Sequence, residues 1–170
     1  VANGQIDLAI IGGQLPPELE NLLEITPYAT DELALVLPSK HRLSKEKELV
    51  KEDLYTLNFV SLDAQSTTRK VVDKLLKNSG LDIQRLKIEM ELNSLEAIKN
   101  AVQSGLGAAF LPVVSIEREL ASGTIHKPSI TDLGVKRELK LITNPSRYTS
   151  KASEAFKKDI LPQFSVFKTK

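Results

Sequence analysis

The chain contains no cysteine. Disulfides and thiolate chemistry are excluded, and a reducing compartment is permitted. Charge of one sign is also scarce. Its 23 basic and 22 acidic side chains leave a net charge of +1, no electrostatic footprint for nucleic acid on these 170 residues. The apolar runs are far too short to span a membrane, and no secretory leader pattern opens the sequence. There are two histidines, His41 and His126, both in loop-like, charged surroundings where solvation is the default. No Gly-x-Ser-x-Gly, phosphate loop or His-x-x-His pair occurs, and the acidic residues are scattered at no metal-ligand spacing. No catalytic residue, cofactor or metal site is therefore expected. What remains, 41% hydrophobic and 26% charged, is ordinary for a globular protein with a proper core, as one domain or two small lobes.

The richest segment runs from Asn93 to Pro112. Asn93 is placed to cap a helix, with Glu96 three residues on as in a capping box. Leu95, Ile98, Ala101 and Val102 share one helical face. Gly105 and Gly107 are expected to end that helix through positive φ, and Ala108–Leu111 then suits a buried strand closed by Pro112. Such a helix start leaves free N–H groups at a sheet edge, a place for a small anion.

Elsewhere strands and helices alternate. Ile6–Ile11, stopped by Gly12-Gly13, reads as a buried parallel strand. Further strands are expected near Leu22–Thr26 and at Leu33–Leu37, Asn58–Leu62, Lys87–Leu92 and Leu139–Thr143. Ser39–Arg42 and the Lys/Glu-rich stretch behind it read as a solvated loop, with one helical turn at Lys51–Tyr55. Ser66-Thr-Thr-Arg69 opens a helix with Val71, Val72, Leu75 and Leu76 inward, ending at Gly80. A helix over Ser115–Ser122 stops at Gly123, and Ser150–Leu161 is an amphipathic helix with Ala152, Ala155, Phe156 and Ile160 inward. The alternation implies an α/β fold with largely parallel sheets.

In open α/β sheets ligands bind beyond the carboxyl ends of the strands. Ser66, Thr67 and Thr68 fall at that edge after one strand, Asn93 and Ser94 after another, and Gly12 with Gly13 after a third. Ser, Thr and Asn before a helix are usually plain helix caps worth about 1 kcal/mol each, and that reading is the favoured one for either cluster alone. Two in one small chain raise the ligand reading modestly. A tight turn explains Gly12-Gly13 equally well. Arg69 suits a carboxylate or phosphate, or an exposed salt bridge.

Taken in order, Gly4–Gly13, Asp31–His41, Asp53-Leu54 and Ser94–Pro112 resemble the effector-binding domain of LysR-type transcriptional regulators over nearly the whole chain. Ala9–Gly13, Leu92–Val102 and Thr143–Tyr148 are similar to the branch that regulates rubisco and CO2-acquisition genes. The resemblance implies a two-lobed α/β fold like a type-two periplasmic binding protein, with 1–30 and 137–170 in a first lobe and 31–136 in a second. The N-terminal part of the first lobe is expected to be missing, as is the DNA-binding domain, since Val1–Asp7 enters in mid-pattern. By the same resemblance, Ser66, Thr67, Thr68, Asn93, Ser94, Gly12 and Gly13 line a cleft, with Arg69 assisting. They would hold a small anionic metabolite: a sugar phosphate, 2-phosphoglycolate or 2-oxoglutarate. The parent would be a cytoplasmic (in an alga, plastid-stromal) homodimer or homotetramer, touching DNA only through its missing N-terminal domain and no membrane. The competing readings are a solute-binding protein of a transport system and an enzyme on the same fold.

Overall fold

The structure, a computed structural model, describes residues 1–164. The chain divides into two compact units, Val1–Asp31 with the chain from Arg137 on, and Glu32–Lys136. Its elements in order are β1 (Leu8–Ile11), α1 (Pro17–Glu20), β2 (Glu24–Pro38), β3 (Glu48–Leu49), β4 (Asn58–Leu62), α2 (Thr67–Asn78), β5 (Lys87–Leu92), α3 (Leu95–Gln103), β6 (Ala109–Pro112), α4 (Glu117–Ala121), β7 (Ile125–His126), β8 (Ser129–Ile130), β9 (Lys136–Thr143), α5 (Lys151–Ala155) and α6 (Leu161–Phe164).

In the larger unit β4 and β5 pair in parallel, Asn58 opposite Lys87 through Leu62 opposite Leu92. β4 meets the start of β6 in the same sense, through Val60 N–H to Ala108 O at 2.8 Å and Ala108 N–H to Asn58 O at 2.8 Å. β6 pairs antiparallel with the second half of β2, and so does β7. The alternation of β2 sends Leu33, Leu35 and Leu37 to one face and Val36 to the other. The first face packs with Phe59, Val72 and Leu76, so α2 covers it. The second packs with Ile98, Val102, Leu111 and Ile116, so α3 covers that side. Phe59 and Phe110 stack at 6.0 Å between centroids.

In the smaller unit β1 pairs antiparallel with β9, Leu8 opposite Thr143. The expected parallel, buried strand is thus antiparallel and only half-buried, with Ile10 exposed. Its partner is the late strand β9 rather than one reached by a crossover helix, so the sheets are mixed instead of largely parallel. The two expected strands around Leu22–Thr26 and Leu33–Leu37 are one continuous β2. The C-terminal helix exposes Ala152, Ala155, Phe156 and Ile160 and buries Ser153 and Leu161 instead. A π turn over Phe156–Ile160 breaks the 3.6-residue period on which the expected face rests.

Smaller differences have equally local causes. Gly105 has φ +84 and ends α3 as expected, whereas Gly107 serves a close contact: a Cβ there would lie 2.7 Å from Asn58 O. The charged stretch after Ser39 is not simply solvated, because Leu43 and Leu49 are buried from it and β3 pairs with β8. The helix expected over Ser115–Ser122 is a 3-10 turn over Val113–Ser115 followed by α4.

Candidate anion site at two helix starts

β4 and β5 end side by side, because Leu62 and Leu92 are register partners and Asp63 N–H donates to Leu92 O at 3.2 Å. The turns that follow are therefore neighbours, and each leads into a helix. After β4, Asp63 Oδ1 accepts from Gln65 N–H at 2.9 Å and Asp63 O from Ser66 N–H at 3.0 Å, which sharpens the turn into α2. Ser66 is the N-cap residue, yet its hydroxyl makes no capping bond. Thr67 is exposed at the first helical position, and Thr68 is half-buried behind it. After β5, the cap of α3 is Ser94 and not Asn93: Ser94 Oγ accepts from Ala97 N–H at a long 3.5 Å. Asn93 lies one residue outside the helix, exposed. Glu96 does not reach back to close a capping box but turns to Lys99 at 2.8 Å.

This edge brings Ser66, Thr67, Thr68, Asn93 and Ser94 together within one unit. Both helix starts present backbone N–H groups with little side-chain competition, and both helix dipoles are positive there. Such an arrangement accepts a phosphate or carboxylate without any chemistry at the bound group.

Arg69 has another position. Its Nε donates to Asp73 Oδ1 and Oδ2 at 2.9 and 2.8 Å, and its Nη1 to Ser61 Oγ at 3.0 Å and Leu62 O at 3.2 Å. Glu91 lies 3.4 Å from the same Nη1. The guanidinium is a largely buried brace tying α2 to β4 and β5, not the exposed salt bridge a reading of the local sequence favours. Gly12 and Gly13 belong to the other unit. Gly12 lies under the Arg137 side chain, where a Cβ would meet Arg137 Cδ at 3.0 Å. Arg137 in turn pairs with the buried Asp31 at 2.6 Å.

A second group escapes the sequence reading. Lys99 is buried on α3, with Nζ on Glu96 at 2.8 Å, Glu119 at 3.0 Å and Ser115 O at 3.1 Å. The signal was its spacing, since Lys99 stands four residues after Leu95 and three before Val102 on the apolar face. Hydrogen bonds that Lys99 donates to Glu96 and then to Glu119 hold its ammonium above the ordinary value, and the bond from Lys99 holds the Glu119 carboxyl below its own. Hydrogen bonds from Ser150 lower Asp7, and burial, with the Arg42 charge beside it, lowers His41. His41 caps the turn after it, its Nδ1 accepting from Leu43 N–H at 3.2 Å. His126 contacts Glu46 O at 3.1 Å. Among the described residues no three His, Asp or Glu side chains are grouped to hold a metal, and no helix is long and apolar enough to cross a membrane.

The family pattern described as LysR substrate binding domain matches residues 1–165. A protein of Synechocystis sp. named "Probable RuBisCO transcriptional regulator" is 59% identical over 165 residues, 97% of this chain and 48% of its own length. One of Porphyra purpurea with the same name is 58% identical over 164 residues, 96% of this chain and 52% of its own. The chain thus spans about half the length of the curated relatives it matches. Among solved structures, the regulatory domain of Synechocystis CcmR in complex with 2-PG superposes with a TM-score of 0.80 at 24% identity, over 96% of this chain and 75% of that one. The effector-binding domain of QuiR in complex with shikimate gives 0.78 at 24%, over 99% and 76%. These likenesses show the fold, the periplasmic-binding-protein-like α/β fold of LysR regulatory domains.

Proposed function

This chain belongs to the LysR substrate-binding-domain family, and from that premise we propose that it is the metabolite-sensing part of a transcriptional regulator of carbon-fixation genes. The identity to regulators named for RuBisCO over 97% of the chain supports the gene class. The adjoining starts of α2 and α3 support the ligand class: a small organic anion, held reversibly by backbone N–H groups and the hydroxyls of Ser66, Thr67 and Ser94. Sugar phosphates, 2-phosphoglycolate and 2-oxoglutarate fit this chemistry. Asn93 and Thr68 flank the anion, and Arg69 holds α2 in place. A bound metabolite shifts the equilibrium between conformations only through its differential affinity for them, and in this way it sets the geometry of a DNA-binding part outside this chain. The parent acts in the cytoplasm, or the stroma of a plastid, as a homodimer or homotetramer.

A thermal-shift titration against phosphorylated and dicarboxylate metabolites tests this reading, because a ligand of the native state alone raises the melting temperature. One saturable rise is expected. Thr67→Ala and Ser94→Ala should each weaken it about tenfold, as the loss of one charge-assisted hydrogen bond does. Unchanged affinity in both variants removes the site from these two turns.

A further inference from the structure

The larger unit is covered on both faces of β2, by α2 on one and α3 on the other. The smaller unit is not. Its sheet ends on β1, which pairs with β9 on one side and with no other strand among the described residues. A strand edge offers a row of N–H and C=O groups to any chain that reaches it, and proteins guard such edges with charge, proline or a bulge. β1 reads Leu8-Ala-Ile-Ile11 in unbroken register with β9 and carries none of these. Apolar surface lies bare beside it: Ile6 is 54% exposed, Ile10 41% and Leu22 57%. Ala9 and Ile11 share one face of β1, and Ile142 of β9 stands opposite Ala9. With Leu15, Leu19 and Leu23 these three line a groove of about 450 Å³ that no charged side chain enters. α1, which carries Leu19, buries none of its own residues. Apolar surface of this extent marks an interaction site.

Length says what covers it. The CcmR and QuiR domains share this fold, yet the match takes in 75% of one and 76% of the other, so about a quarter of each has no counterpart here. That quarter needs a surface to pack on, and in this chain the bare sheet edge and the uncharged groove beside it adjoin. We propose that a segment of the parent protein outside these 170 residues completes the smaller unit. It adds a β-strand to the free edge of β1 and lays apolar side chains in the groove, against Ala9, Ile11 and Leu19. A second copy of this chain would pair the edge and still leave that quarter unplaced.

The chain has no cysteine, so single introduced thiols report on this surface directly. Ile10→Cys probes the edge and Leu19→Cys the groove. Tyr148→Cys is the control, at a side chain 84% exposed and outside the groove. Labelling by a maleimide is timed in this chain alone and in the whole parent protein freed of other cysteines. Ile10→Cys and Leu19→Cys should react readily in the chain and about a hundredfold more slowly in the parent, as thiols reached only by local opening do. Tyr148→Cys should react alike in both. Amide exchange over Leu8–Ile11 in the unsubstituted proteins makes the same comparison without a mutation, and it should slow in the parent. Equal rates in the two proteins, or slowing of Tyr148→Cys to the same degree, overturn the proposal. So does protection in the parent that is lost on dilution to a monomer, or protection of the chain alone at high concentration, since either places a second copy on the surface. The groove shares no residue with the two helix starts, so this outcome and that of the metabolite titration are separate.

Discussion

At the residue scale, Gly107 shows how one missing Cβ decides a sheet. β4 and β6 approach through Ala108, and the backbone at Gly107 passes so close that a Cβ would also meet Val60 Cγ2 at 3.2 Å. Neither neighbour yields cheaply, because Asn58 O is backbone held in the strand contact and Val60 is 1% exposed. Gly107→Ala should therefore cost about 2–3 kcal/mol, read as a lowered urea midpoint at unchanged slope. A midpoint equal to the parent's would mean that β4 and β6 are not so close. In the sequence Gly107 looks like a second helix stop, since a glycine needed for close approach and one needed for positive φ are the same letter. Arg69 is legible as a cation at a helix start. Its partners Glu91 and Ser61 come from other strands, and no local pattern announces them.

At the element scale, α3 is tied to α4 by the buried Lys99–Glu119 pair, and one oxygen of Glu119 has no partner among the described residues. Removing the cation strands the carboxylate, so Lys99→Met should cost about 3 kcal/mol. The pH dependence has a definite sign. Glu119 titrates below its ordinary 4.5 in the folded chain, so the pair's contribution is present above that value and is lost as pH falls through the depressed one. Lys99 titrates above 10.5, so its contribution is full below that value and is lost as pH rises beyond the raised one. The stability gap between parent and Lys99→Met should be flat between these limits and should narrow in acid below 4.5, measured by urea unfolding across pH. A gap indifferent to acid would mean that Glu119 is not the partner. The helices α2 and α3 were readable from periodicity because each packs one apolar face locally. In the sequence β2 looks like two strands because Pro27 and the charged pair Asp31-Glu32 interrupt its apolar run, although the strand runs through all three. The buried face of the C-terminal helix differs from the one its periodicity predicts, because a π turn leaves no mark in a hydrophobic pattern.

At the scale of the whole molecule, the order of strand, polar turn and helix was enough to place Ser66–Thr68 and Asn93-Ser94 at strand ends. That the two turns are neighbours depends on β4 pairing directly with β5, a long-range fact with no local signature. The central test is whether a small anion sits on the N–H groups of the paired helix starts. Amide chemical shifts recorded during titration with 2-phosphoglycolate, and then with 2-oxoglutarate, read those groups one by one. We expect saturable movement of Thr67, Thr68, Glu96 and Ala97, the first turns of α2 and α3, with one of the two ligands. Movement confined to other amides, or none in these turns with either ligand, would contradict it.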